Sequence, residues 1–328
     1  MPAYSSTDIP DVITVGRVSV DLYAQEVHAS FTHPQTFRKS IGGSPTNVAV
    51  AAARHGHHAA VVTKVGTDAL GDYVIALLNE WEVDTRYVGR DASALTPVVL
   101  AALAPPEEPQ IIFYRGQAAP DTTVRHDEVP VDDMRGCRVL WMSQGALALG
   151  ATADSSFAWL EMRGRSDDRD TVLDLDYRPT MWSSVHEARA AAQRAIAQSS
   201  VVVGNRTECE MAVGLDEPDA IVDDFLGRGV RLAIVKLGGG GVLVADDSDR
   251  VRINPLDIDV LCGLGAGDAF GGALVHGLLS GWDLERIGRF ANGAGAYVAT
   301  QLTCADAMPT TTMVDEVVEH GGTRGLRE

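Results

Sequence analysis

Short runs rich in β-branched residues alternate with longer helical runs along most of this chain, and that alternation leaves few folds open to it. Residues 12–15, 59–64, 171–176, 200–203 and 232–236 read as strands. Residues 70–81, 186–198 and 219–226 carry helical patterns between them. This pattern predicts an α/β fold: a mostly parallel sheet with helices on both faces. Ligands of such sheets gather at the C-terminal ends of the strands. At 328 residues and 45% hydrophobic, the chain can form one large α/β domain or two small ones. It shows no repeat, low-complexity linker or clear break.

Two segments interrupt the alternation. Residues 18–41 are polar-interrupted and hold no helix of useful length. Residues 98–103 and 110–114 look like a hairpin around Pro105-Pro106-Glu107-Glu108-Pro109.

Near the C-terminal end, Gly265-Ala266-Gly267-Asp268-Ala269-Phe270 leads into an apolar run, 269–279, that reads as a buried helix. Small residues let the backbone come close to a ligand. The first N–H groups of a helix lack intrahelical partners and its dipole favours negative charge, so phosphate charge is stabilised there. Asp268, in the same turn, can accept a proton from a hydroxyl attacking phosphorus. The string fits a Gly-rich turn capped by Asp as well. Near the other end, Gly42-Gly43-Ser44-Pro45-Thr46-Asn47 opens an Ala-rich helical run closed by His55-Gly56. Gly42 and Gly43 allow close approach to a small polar ligand. Thr46 or Asn47 can cap the helix, and the Asn47 amide can both donate to and accept from hydroxyls. A capped helix alone would also explain this string.

The net charge is −18, and no Lys/Arg run offers a basic face, which argues against nucleic acid as a partner. An anionic substrate must therefore find local cations, because the global field repels it. Residues 1–10 are polar and no apolar stretch reaches spanning length, so neither a leader peptide nor a membrane is expected. Cys137, Cys209, Cys262 and Cys304 are far apart and form no C-x-x-C, which points to a reduced, cytoplasmic protein. His55, His57 and His58 have no Cys or carboxylate beside them in a zinc-ligand pattern. The P-loop string is missing. Gly16-Arg17-Val18-Ser19 is not the Rossmann fingerprint, and the protein-kinase pair H-R-D and D-F-G is missing too.

Taken in order, G-G-x-x-x-N-x-A and then G-A-G-D-A-F resemble the two signatures of the PfkB (ribokinase-like) family of sugar and nucleoside kinases. The resemblance runs from about residue 12 to 310. It implies one kinase domain over 1–328, a ribokinase-like three-layer sandwich with a mostly parallel central sheet. Segments at approximately 17–41 and 96–116 would form a small β-sheet lid over the sugar, with a homodimer contact available through that lid. It also implies ATP and Mg2+, and phosphoryl transfer by positioning and charge stabilisation. In that frame Asp268 is the base, and the backbone of Gly265, Ala266 and Gly267 is the anion hole. Asp21, after the first strand, would hold sugar hydroxyls. Asn205 and Glu208 match the family's N-x-x-E element, which organises magnesium through water and the phosphates. Lys236 and Gly238, in Lys236-Leu237-Gly238-Gly239-Gly240-Gly241, would border the ATP site, and Asn292 matches the adenine-proximal helix.

Longer strings narrow the resemblance. Gly16 to Tyr23, Ile112-Phe113-Tyr114-Arg115, Asp174 to Trp182, Cys262-Gly263-Leu264 and Ala307-Met308-Pro309-Thr310 resemble the branch that phosphorylates 5-dehydro-2-deoxy-D-gluconate to its 6-phosphate in myo-inositol breakdown. Residues 116–121 depart from that branch. A sugar acid needs a cation in the pocket, and Arg115, Arg178 and Lys39 are the candidates, Arg offering a planar fork for a carboxylate. A kinase for 2-keto-3-deoxygluconate, ribose or fructose is the close alternative. A non-catalytic sugar-binding regulator on the same fold is a different class, against which the intact GAGD string speaks.

Overall fold

The computed structural model describes residues 8–105, 108–116 and 118–323. Residues 1–7 of the polar N-terminus, Pro106 and Glu107 of the expected hairpin tip, Gln117 and residues 324–328 lie outside the described residues.

The strands, in chain order, are β1 (Val12–Val15), β2 (Ser19–Ala24), β3 (Phe37–Gly42), β4 (Ala59–Gly66), β5 (Val88–Asp91), β6 (Val98–Ala102), β7 (Gln110–Tyr114), β8 (Val139–Ser143), β9 (Asp170–Asp174), β10 (Val201–Asn205), β11 (Leu232–Lys236), β12 (Val242–Ala245) and β13 (Arg250–Ile253). They form a nine-stranded sheet in the order β13-β12-β11-β10-β9-β8-β1-β4-β5 and a separate four-stranded sheet in the order β3-β2-β6-β7. The large sheet is parallel from β11 to β5, and β12 and β13 extend one edge antiparallel. Parallel pairing brings the C-terminal ends of β1, β8, β9, β10 and β11 to one edge. The small sheet is built from the two segments that broke the helical alternation.

The strands are apolar on both faces because both faces are covered. Val12, Trp141, Val201, Val203, Leu232 and Ile234 face one core. Ile13, Val15, Leu140, Met142, Val202, Ala233 and Val235, their chain neighbours, face the other. This is the period-2 alternation of a strand inside a three-layer sandwich. Helices Ser44–Arg54, Ala266–Leu279 and Leu284–Ala299 cover the first face, and Gly150–Arg163, Val185–Ile196 and Pro218–Gly227 the second. No helix of the described residues is long and apolar enough to cross a membrane.

Two of the three histidines join a ring cluster. His55 stacks on His276 with centroids 5.1 Å apart, and His57 Nε2 lies 2.8 Å from His276 Nδ1. Trp282 and Phe290 close the cluster. His58 instead reaches Asp84, 2.9 Å away. Burial, with the other imidazoles adding to it, pushes His55 down to about 3 and His57 to about 4, so both are neutral in the folded state. The unfolded chain takes up these protons near pH 6.5 while the folded state refuses them. Stability should therefore fall as pH drops from about 6.5 toward 4. Melting curves over that range test this: the melting temperature is expected to decline, and His55→Leu to flatten the decline. A melting temperature unchanged by pH in the parent protein would refute it.

Candidate active site

The helix Ser44–Arg54 follows β3 with almost no linker. Gly42 and Gly43 make this turn possible. A Cβ on Gly42 would fall 1.9 Å from Asp21 Oδ2, and one on Gly43 would fall 2.3 Å from the Arg17 carbonyl oxygen, with φ at +100° besides. Glycine is thus required at both positions because the Asp21 carboxylate and the β1–β2 turn press against them. The helix opens without a side-chain cap. Thr46 Oγ1 donates to the Arg17 carbonyl, 2.9 Å away, and Asn47 Nδ2 donates to Asp268 Oδ2 at 2.7 Å. The expected capping role of these two residues is therefore replaced by long-range contacts.

The second helix, Ala266–Leu279, begins three residues earlier than its apolar run suggested, so Gly267 and Asp268 lie in its first turn. Gly265 precedes it in the left-handed conformation, φ +81°. Backbone contact between small residues brings the two helices together: a Cβ on Gly272 would fall 2.2 Å from that of Ala51. One helical turn back from this contact lie Asn47 and Asp268, which explains their hydrogen bond. Burial pushes the Asp268 carboxyl up to about 6, with the Asn47 bond pulling the other way. The N–H groups of Ala266, Gly267 and Asp268 have no intrahelical partners. Lys236 Nζ stands over this helix start, 3.3 Å from where a Cβ on Gly267 would be.

One pocket between the sheet edge and the small sheet is lined by Asp21, Gly43, Asn47, Arg115, Arg178, Gly265 and Asp268, with Arg17, Tyr23 and Cys304 also in its wall. Ile111 and Phe113 of β7 face it, while Ile112 and Tyr114 of the same strand are exposed. Asp21 accepts from Ser19 Oγ at 2.6 Å and from the Tyr23 hydroxyl at 3.0 Å. Burial raises its carboxyl, and those two hydroxyls oppose the rise.

The other expected residues are not in the wall of this pocket. Asn205 and Glu208 form a capping box at the start of helix Arg206–Val213: Glu208 N donates to Asn205 Oδ1 at 2.9 Å, and Asn205 N to Glu208 Oε2 at 2.7 Å. Glu208 Oε1 has no hydrogen-bond partner among the described residues. Lys236 pairs in register with Asn205 across β10 and β11, and its Nζ lies 4.0 Å from Asp174 Oδ1. Burial lowers the Lys236 ammonium, and Asp174 and Glu208 more than offset this, so it is held above its usual range. Gly238 starts an exposed 3-10 turn beside β11. Asn292 is outside this pocket; it lines a separate groove with Arg252, Asn254 and Arg289, and its Nδ2 donates to the Asn254 carbonyl at 3.1 Å. Lys39 turns away from the pocket, its Nζ 3.7 Å from the centre of the Tyr73 ring. Among the described residues no group of three or more His, Cys, Asp or Glu side chains is arranged to hold a metal ion directly.

Several charged residues at the site went unread in the sequence. Arg17 donates to Asp176 Oδ2 at 2.7 Å, and Arg178 lies 2.7 Å from Asp176 Oδ1. Burial would raise Asp176, but Arg178 and Arg17 outweigh it and hold the carboxyl below the usual range. Asp174 is pushed up to about 7 by burial, with Lys236 opposing. Asp121 accepts from Arg115 through both oxygens, at 3.2 and 2.7 Å, and from Val18 N at 3.2 Å. Arg115 and Arg178 are expected from the sequence as pocket cations, and Asp174 and Asp176 lie in the string Asp174 to Trp182, but the pairing of these residues with one another, and with Arg17 and Asp121, is not legible there.

The chain matches the pfkB family carbohydrate kinase pattern over residues 10–311. A 5-dehydro-2-deoxygluconokinase of Bacillus anthracis is 29% identical over 316 residues, covering 94% of this chain and 95% of that protein. One from Clostridium tetani is 28% identical over 323 residues, covering 95% of each. A fructokinase from Xylella fastidiosa with bound ATP superposes with TM-score 0.82 at 22% identity, covering 95% of this chain and 99% of that one. A Vibrio cholerae O395 fructokinase with fructose, ADP and calcium gives TM-score 0.81 at 24% identity, over 94% and 99%. With its glycine-built turn, its Asn47–Asp268 contact at a helix N-terminus and a family match spanning nearly the whole sequence, this chain belongs to the pfkB family of carbohydrate kinases.

Proposed function

We propose that this kinase transfers the terminal phosphoryl group of ATP to the 6-hydroxyl of 5-dehydro-2-deoxy-D-gluconate. The observation that carries the reading is one pocket whose wall holds Asp268 at a helix N-terminus together with Arg17, Arg115 and Arg178. The full-length relatives named 5-dehydro-2-deoxygluconokinase support it.

In this reading Asp268 takes the proton of the attacking hydroxyl while Asn47 fixes the carboxylate's orientation. The backbone of Gly265, Ala266 and Gly267 receives the charge growing on the phosphoryl oxygens, with Lys236 beside it. Asp21 and the Asn47 amide orient the sugar hydroxyls, and Gly42 and Gly43 let the Asp21 carboxylate and the β1–β2 turn sit against the helix start. Glu208 and Asn205 fit a magnesium ion held through water: they are hard oxygen donors beside Lys236, and Glu208 keeps one carboxylate oxygen free after capping its helix. When bound, that ion neutralises charge on the nucleotide phosphates. Gly238, in the turn after Lys236, and Asn292, in its separate groove with Arg252 and Arg289, are read as the residues nearest the nucleoside part of ATP. The small sheet acts as a lid, and its exposed Ile112 and Tyr114 are where a homodimer contact would form. Four unpaired, buried cysteines accord with a cytoplasmic setting.

A coupled ATP-turnover assay over 5-dehydro-2-deoxygluconate, 2-keto-3-deoxygluconate, ribose and fructose tests the reading. The first should exceed ribose and fructose in kcat/KM by about tenfold or more, as one charge-assisted contact to its carboxylate requires. Equal or greater values for ribose or fructose would overturn the sugar-acid assignment.

A further inference from the structure

We propose that Arg17, rather than Arg115 or Arg178, is the specificity-determining residue that receives the substrate's carboxylate. This rests on the sugar-acid reading above. Three guanidinium groups line the pocket, and their existing partners decide among them. Arg115 already spends its fork on Asp121, whose side chain is fully buried and also accepts the Val18 N–H. Both terminal nitrogens of that fork already face a buried carboxylate, so it is not open end-on to a second one. Arg178 is 42% exposed, lies 2.7 Å from Asp176 Oδ1, and also feels the carboxylates of Glu208 and Asp268, both assigned above to phosphoryl transfer, and of Asp174. Its exposure leaves it solvated, and those charges suit it to phosphoryl oxygens better than to a second buried carboxylate.

Arg17 differs on each count. Its side chain is 10% exposed, and among the described residues it makes one side-chain hydrogen bond, to Asp176 at 2.7 Å. A guanidinium has five N–H donors, and Nε of Arg17 is buried with no partner at all. A buried cation short of acceptors is costly to hold, and an entering carboxylate would remove that cost. The backbone aims Arg17 at the right place. Gly16, with φ +141°, turns the chain from β1 of the large sheet to β2 of the small one, so residue 17 lies between the layers. Gly145 faces the same guanidinium: a Cβ there would stand 3.1 Å from Arg17 Nε, so glycine keeps a side chain off that donor. Asp21, a carboxylate in the same pocket wall, is already held by the Ser19 and Tyr23 hydroxyls.

The test compares 5-dehydro-2-deoxygluconate with its primary amide, a neutral analogue of the same shape. In the parent enzyme kcat/KM should favour the acid by about tenfold or more. Arg17→Gln should bring the acid-to-amide ratio close to one, mainly through KM for the acid, while Arg17→Lys keeps part of it. Arg115→Gln should lower the melting temperature, by stranding Asp121, and leave the ratio within about threefold of the parent. Should Arg17→Gln not fold, the pair Arg17→Gln with Asp176→Asn removes both charges together and must show the same collapse of the ratio. A ratio in the folded Arg17 variants within about threefold of the parent's would overturn the assignment and leave the sugar-acid reading standing. A parent enzyme with no preference for the acid would overturn that reading and this assignment with it.

Discussion

Asp268→Asn is expected to lower kcat by about 10²–10⁴-fold, the worth of a positioned general base. The change keeps the shape of the side chain and removes its capacity to take a proton at neutral pH. In the parent enzyme the same carboxyl, raised to about 6 by burial, should give kcat/KM an acidic limb with a midpoint near that pH. The sign follows from the role: below the midpoint the carboxyl is protonated and cannot act as base, so the rate falls as pH falls. Single-turnover rates for the variant and a pH–rate profile for the parent check both parts. A variant within about threefold of the parent in rate would exclude Asp268 as the base.

Gly265→Ala is expected to be nearly as damaging, for a different reason. Residue 265 sits at φ +81°, and a Cβ there would fall 2.5 Å from Cys304 Sγ and 2.7 Å from its Cβ. The left-handed conformation costs an alanine roughly 1–2 kcal/mol, and the overlap adds about 1–3 kcal/mol. Relief requires the first turn of helix Ala266–Leu279 to move, carrying the unpaired N–H groups away from the proposed phosphoryl site. Loss of one such donor costs about 10²–10³ in rate. Gly267→Ala provides the comparison. Its Cβ would meet only the mobile end of Lys236, at 3.3 Å. The melting temperature should therefore drop clearly for Gly265→Ala and little for Gly267→Ala. Equal melting temperatures for the two variants would show that the turn is not the constraint described here.

Much of the fold could be read from the sequence because local patterns carried it. The apolar runs at β1, β4, β10 and β11 and the hairpin β6–β7 stand within a residue or two of their expected bounds. Strand β8 and helix Gly150–Arg163 were not anticipated. The helix has little amphipathic contrast, with Thr152, Ser155 and Ser156 buried, so its periodicity is weak. The glycine-rich turns were visible as strings, but the reason for each glycine was not. Gly42 exists for Asp21 and Gly265 for Cys304, partners that no local window contains. The same limit hid the charged network. Arg17 and Asp176 are 159 residues apart, and Asn47 and Asp268 are 221 apart. Asn47 looked like a helix cap because a cap is what a local window can recognise, whereas its actual partner depends on how two helices pack.

The most direct measurement of the central claim is identification of the product. The purified protein, ATP, magnesium and 5-dehydro-2-deoxy-D-gluconate should yield ADP and a sugar-acid monophosphate in equal amounts, with phosphorus NMR and mass spectrometry placing the ester on O6. ADP formed without a phosphorylated sugar acid, or no turnover of this substrate while ribose or fructose is phosphorylated, would contradict the account.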